Sequence, residues 1–192
     1  LLPPDVNESE ENFSVGSVEP GKYAIRFGLG VVKNVGSSAV EGIITERKAN
    51  GPYKDIEDFC QRADLTGATS RTIEHLAMAG AFANVSPQES RRTIVAAAER
   101  IVTVAKDERE RANSMQMNFF GEVAQSSSLE VFLDRLAPDV SQDLRWEKEV
   151  LGVYVSAHPF RSIAAKVQEF ATHALSDLTA DIAGQVVTVA GM

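Results

Sequence analysis

The residues whose types and spacing could do chemistry are Lys33-Asn34-Val35-Gly36-Ser37-Ser38. The chemistry is anion binding by the main chain. Gly takes positive φ without a Cβ clash, and Asn is among the few other residues that tolerate it, so Asn34-Val35-Gly36 reads as a tight turn. A helix start follows: Ser38 can cap it, and Glu41 three residues later completes a capping box. A small-residue turn entering a helix leaves several N–H groups unpaired and pointing outward. Together with the helix dipole, they suit a phosphate. An ordinary helical corner packed into a core has the same sequence, so this stretch alone leaves both readings open.

Side-chain catalysis finds less support. Ser156 and His158 lie close together, but no partner base or oxyanion loop accompanies them, and a turn before a helix over 160–170 explains them. His173 is equally unaccompanied. His75 has no second ligand at zinc-like spacing and reads as a surface or boundary histidine. Cys60 falls on an apolar helix face and reads as a small core residue. An independent enzyme therefore has no nucleophile, base or metal constellation to stand on.

The elements that must position the turn are mostly helical. Before it, Tyr23, Ile25 and Phe27 alternate with Ala24 and Arg26, which predicts a short strand. After it, Ala39, Val40, Ile43 and Ile44 give one apolar helix face, stopped at Asn50-Gly51-Pro52. Asp55 caps a short helix with Ile56, Phe59 and Cys60 inward. Ser70 caps the next, with Ile73, Leu76 and Ala77 inward and Gly80 ending it. Ser86-Pro87-Gln88-Glu89 reads as a further start. Ile94, Ala97, Ala98, Ile101, Val102 and Ala105 form its stripe. The mixed-sign run from Lys106 to Asn113 reads as a solvated helix end. Leu129, Phe132, Leu133 and Leu136 predict another short helix, and Trp146, Val150 and Tyr154 stack at i, i+4 and i+8 on the one after. Residues 1–20, with Pro3, Pro4 and an acidic polar run, read as surface chain with little regular structure. The β-rich end from Gln185 reads as a strand whose sheet is mostly missing.

Between the charged helix end and a polar linker lies Gln116-Met117-Asn118-Phe119-Phe120. Adjacent Phe residues there are either a small core plug or an anchor for a partner, and the plug is the better reading of the residues alone.

Composition narrows the classes. An apolar share of 44% can build a core. One cysteine excludes a disulfide framework and fits a reducing cytosol. No apolar run approaches the roughly 18 residues of a membrane span, and no secretory leader is present. The chain opens on Leu1 without an initiator Met, which suggests a segment of something longer. A net charge of −8 argues against binding nucleic acid by charge alone. The turn, however, lies in the least acidic part: residues 23–62 hold six bases against five acids, residues 1–22 five acids against one Lys. Backbone amides would do most of the phosphate work.

Taken together, the motifs resemble known ones. The turn and its helix resemble a helix-hairpin-helix, which grips the DNA backbone without reading sequence; Asn34 stands where that motif usually has Gly. Leu2-Pro3-Pro4-Asp5-Val6-Asn7, Ile25-Arg26-Phe27-Gly28-Leu29, Val32-Lys33-Asn34-Val35-Gly36, Gly51-Pro52-Tyr53, Asp58-Phe59-Cys60, Ala79-Gly80-Ala81-Phe82, Glu147-Lys148-Glu149-Val150-Leu151-Gly152 and His158-Pro159 match, in order, the pattern of the C-family replicative polymerases of bacteria, the DNA polymerase III alpha subunits. The resemblance covers essentially the whole chain.

That resemblance implies a mainly α fold: a helical domain with a helix-hairpin-helix, a few short strands, and a C-terminal strand of a truncated OB barrel. It divides the chain into the end of the fingers (1–22), a duplex-binding helical domain (23–112), a clamp-binding peptide and linker (113–128), a helical connector (129–184) and the first barrel strand (185–192). Lys33, Asn34, Val35, Gly36, Ser37 and Ser38 become the DNA-contacting turn. Gln116, Met117, Asn118, Phe119 and Phe120 resemble the clamp-binding pentapeptide Gln-x-x-Leu/Met-Phe, with Phe119 replacing the usual Leu or Met; this raises the anchor reading above the plug. The implied partners are double-stranded DNA, a sliding clamp and the remaining polymerase and replisome, in the bacterial cytosol and without a membrane. Magnesium is implied for the palm, which nothing here matches, so this segment carries no cofactor and is predicted inactive alone while its parent is a nucleotidyltransferase. A purely structural connector, or the error-prone paralogue of the same family, are the alternatives. Burial of the turn and of Phe119 and Phe120 would favour the connector.

Overall fold

A computed structural model describes residues 1–117, 133–162, 169–173, 178–179 and 183–189. It is mainly helical, with five α-helices and one two-stranded sheet among the described residues. The chain divides into two compact units, Leu1–Val155 and Ser156–Met192.

The first unit opens with a segment that departs from the surface chain expected of residues 1–20. Val6 is fully buried, and Asp5 and Ser9 are buried beside it. Each buried polar group has a partner, as desolvation demands. Asp5 accepts from the amides of Asn7 and Glu8 and from Asn84 Nδ2. Ser9 Oγ donates to the Phe27 carbonyl. The Arg47 guanidinium donates to the carbonyls of Val6 and Ser9. Asn7 exchanges two hydrogen bonds with the Tyr53 main chain, at 2.7 and 2.8 Å. Residues 14–19 are not irregular either. They form β1 (Ser14–Glu19), antiparallel to β2 (Lys22–Arg26), with Val15 opposite Ile25 and Gly21 at φ +80° in the turn.

A short 3₁₀ turn (Leu29–Val31) leads to α1 (Ser37–Asn50), α2 (Ile56–Arg62), α3 (Ser70–Met78), α4 (Arg91–Met117) and α5 (Val140–Leu151). The inward stripes are those that the 3.6-residue period predicts. Ala39, Val40, Ile43 and Ile44 of α1 are buried, as are Phe59 and Cys60 of α2, Ile73, Leu76 and Ala77 of α3, and the Ile94-to-Ala105 stripe of α4. α4 is the common support, packed against both α2 and α3. Phe59 sits at the centre, with Tyr53 and Phe82 edge-on at 5.0 and 5.2 Å. Burying a ring of that size contributes about 2–3 kcal/mol. Gly42 lets α1 approach the chain after α2: a Cβ there would lie 2.4 Å from the Asp64 carbonyl.

Helix starts shift from their expected residues because several capping-type residues stand in a row and tertiary contacts choose among them. α3 is capped by Thr69, which shares a reciprocal box with Thr72, rather than by Ser70. α4 starts at Arg91, with Ser90 Oγ accepting from the Thr93 amide, and the Ser86–Glu89 run forms turns instead. Leu133 and Leu136 are not helical; the Leu136 main chain pairs with Thr93 and Ser90 side chains of the α4 start. Leu129 and Phe132 lie outside the described residues. Tyr154 is not on α5, because Gly152 turns left-handed (φ +78°) and ends the helix. Arg91, partly exposed, and Glu147, fully buried, make an ion pair at 2.9 Å that ties α5 to the start of α4.

In the second unit, Pro159–Ser162 form a 3₁₀ turn. Among the described residues, 185–189 are in irregular conformation, and the Thr188 carbonyl accepts from the N–H groups of Thr172 at 2.9 Å and His173 at 3.4 Å.

Candidate nucleic-acid interface

The turn before α1 is built by alternating anchors and exposed residues. Leu29, Val32 and Val35 are buried. Lys33, Asn34, Gly36, Ser37 and Ser38 are exposed between and after them. Val35 therefore contributes a core side chain to the turn, not a contact surface.

Asn34 adopts φ +61°, the one left-handed non-glycine residue among those described. Gly36 does not share that conformation. It has φ −79° and ψ 147° and is the N-cap of α1. The expected Ser38–Glu41 capping box is absent, because Ser37 and Ser38 already lie inside the helix and the cap position holds no side chain. A Cβ on Gly36 would meet nothing within 4 Å. Neither backbone conformation nor packing within this chain calls for glycine there.

The hydrogen-bond accounting separates the turn's amides. Lys33 N–H donates to the Val150 carbonyl at 3.0 Å, and Val35 N–H to the Val32 carbonyl at 3.2 Å. Val40 N–H begins the helix by donating to the Gly36 carbonyl. The N–H groups of Gly36, Ser37 and Ser38 have no acceptor among the described residues. Each of the other helices has one first-turn amide taken by a cap side chain. Asp55 caps α2, Thr69 caps α3, Ser90 caps α4 and Asp139 caps α5. Of the five, α1 alone keeps a side-chain-free N-terminus, exposed and carrying the positive end of a 14-residue dipole.

The turn is held from behind. His75, buried on α3, donates from Nδ1 to the Lys33 carbonyl at 2.6 Å. The expected surface histidine is thus an internal one. Gly67 makes room for the helix start, since a Cβ there would fall 2.2 Å from Ser38 Oγ. Sequence reasoning passed over His75, Gly67 and Val150. Thr72-His75-Leu76 at i, i+3 and i+4 was the available hint for His75; a backbone carbonyl as partner leaves no sequence signature.

Acidic side chains gather beside α1, and two acids of this region are paired. A cavity of about 360 Å³ beside α1 is lined by Glu10, Glu11, Ser37 and Glu41. Glu10 is engaged by Lys48 at 2.8 Å, and that hydrogen bond holds its carboxyl below the ordinary range. Asp64 is held low chiefly by the Thr66 hydroxyl, with Arg109 paired to it at 2.8 Å. Among the described residues no group of three or more His, Cys, Asp or Glu side chains could hold a metal ion. Nor is any described helix long and apolar enough to cross a membrane.

Gln116 and Met117 are the last residues of the α4 backbone. Asn118, Phe119 and Phe120 lie outside the described residues.

Comparison with known proteins agrees with the hairpin. A family described as "Helix-hairpin-helix motif" matches residues 1–94. The DNA polymerase III subunit alpha of Chlamydia trachomatis is 36% identical over 170 residues, covering 85% of this chain and 13% of that protein. That of Haemophilus influenzae is 32% identical over the whole of this chain and 16% of its own length. That of Thermus aquaticus is 38% identical, over 83% of this chain and 12% of its own. The chain thus spans between 12% and 16% of the length of these relatives.

Proposed function

The chain belongs to the DNA polymerase III alpha subunit family, and on that footing we propose that the α1 hairpin holds duplex DNA by its phosphate backbone during replication. Gly36, Ser37 and Ser38 offer main-chain donors to one phosphate, and Lys33 and Asn34 flank it. The reading rests on one observation above others: α1 has no side-chain cap, while the other four helices do. Amides and a dipole attract any phosphate equally, so the grip is independent of sequence. The acidic surroundings keep non-specific charge attraction low.

Gly36→Asp tests this in the polymerase that carries the chain. The new carboxylate would occupy the anion's place, and duplex affinity should fall about tenfold, or ~1.4 kcal/mol. Unchanged affinity would sink the hairpin reading.

A second reading concerns Gln116-Met117-Asn118-Phe119-Phe120, whose pattern supports tethering to a sliding clamp. Gln116 would make polar contacts and the Phe side chains fill an apolar pocket on the clamp. A peptide spanning Ser114 to Glu122 should bind a clamp, and the Phe119→Ala, Phe120→Ala pair should abolish it; undiminished binding removes the assignment. Polymerase activity, its magnesium and a cytoplasmic setting belong, in this proposal, to the larger protein.

A further inference from the structure

Lys33 is the residue on which the hairpin turns, and its peptide groups are gripped from two directions. Its N–H is held by the carbonyl of Val150, in the last turn of α5, at 3.0 Å. Its C=O is held by His75 Nδ1, from α3, at 2.6 Å. The next residue, Asn34, sits at φ +61°. Asn accepts that conformation more readily than other L residues, and the two bonds on Lys33 fix the peptides that lead into it.

Each holder is itself fixed. The Thr69–Thr72 box sets the start of α3, and Thr72, His75 and Leu76 share its buried face. The Val150 carbonyl is one of the four that a helix C-terminus leaves without an intrahelical partner. α5 is placed by the buried Glu147, which pairs with Arg91 and accepts from the Val155 amide at 2.7 Å. The His75 ring is 6% exposed, so water does not replace it at the Lys33 carbonyl.

From this geometry we infer that His75 is a positioning residue for DNA binding: its Nδ1–H fixes the Lys33 peptide plane, and so aims the Gly36–Ser38 amides at one phosphate. The inference rests on the phosphate-binding reading of the hairpin. His75 does not touch DNA; it acts through Lys33 and Asn34. A carbonyl can only accept, so the proton sits on Nδ1.

Two substitutions separate this role from simple packing. His75→Asn places an amide N–H near the Nδ1 position, whereas His75→Leu keeps bulk and removes the donor. In the full-length polymerase, duplex affinity and thermal unfolding are measured for both, with Gly36→Asp alongside. We expect His75→Asn to bind within twofold of the parent and His75→Leu to bind about tenfold more weakly at temperatures where both are folded. Equal binding by His75→Leu and the parent, while Gly36→Asp binds weakly, overturns the His75 role and leaves the phosphate reading standing. Loss of binding that tracks loss of fold in both His75 variants also overturns it. Full binding by Gly36→Asp overturns both.

Discussion

Gly36 is in an extended conformation open to every residue type, with empty space where its side chain would be. Asp, Asn and Ser are better N-caps than Gly by a few tenths of a kcal/mol in this conformation. Gly36→Asp should therefore leave the melting temperature equal or slightly raised while duplex affinity falls; a clear loss of stability would show that the cap position is strained. Stability and binding moving in opposite directions at one residue is the signature of a site. At this scale the sequence was legible in part. The left-handed Asn34 followed from its type. The cap did not, because Gly36, Ser37 and Ser38 all suit a helix start and the choice among them is made by where Val35 is buried. His75 looked peripheral because its partner is a main-chain oxygen 42 positions away.

Among the elements, the helical stripes were readable and the segments without one were not. α1, α2, α3 and the body of α4 bury the faces that their periodicity marks. β1 escaped notice because Ser14-Val15-Gly16 shows no apolar alternation against its surroundings; its pairing with β2 makes it a strand. Leu133 and Leu136 suggested a helix, but the chain there is drawn along the start of α4 by Thr93 and Ser90. α5 buries one carboxylate, Glu147, beside its apolar residues Leu144 and Val150. Removing one partner of a buried pair leaves the other charge uncompensated, at a cost of about 3 kcal/mol. Arg91→Ala should lower unfolding stability by that order, measured by urea denaturation, since it removes the cation from the fully buried Glu147 carboxylate. A change below about 0.5 kcal/mol, typical of surface substitutions, would mean that α5 is held by its apolar face alone.

For the molecule as a whole, the leading segment was the largest misreading. Asp5, Asn7 and Ser9 have surface-like types, and only their distant partners, Asn84, Tyr53 and Phe27, reveal them as internal. Those partners come from all over the first unit, so its acid response is distributed as well. Asp64, held by Thr66 hydrogen bonds and then by Arg109, titrates below its ordinary 3.8. A carboxyl depressed in the folded state contributes stability above its unfolded pKa and loses it as pH falls through the folded one. Asp5 runs the other way: burial raises it, so its carboxylate opposes folding at neutral pH and less so in acid. Asp64→Asn should accordingly be less stable than the parent at neutral pH, and urea midpoints of the two should converge as pH falls below the ordinary carboxylate range. A gap that stays constant across that range would remove Asp64 from the acid limb.

The double hold on Lys33 also orders events in time. One contact reaches 42 residues ahead, and the other waits for Val150. Contacts of that sequence separation form late. A nascent chain that had emerged only as far as α4 would own every residue of the hairpin and lack its second grip, so competence for DNA comes to this region only when α5 has left the ribosome and docked.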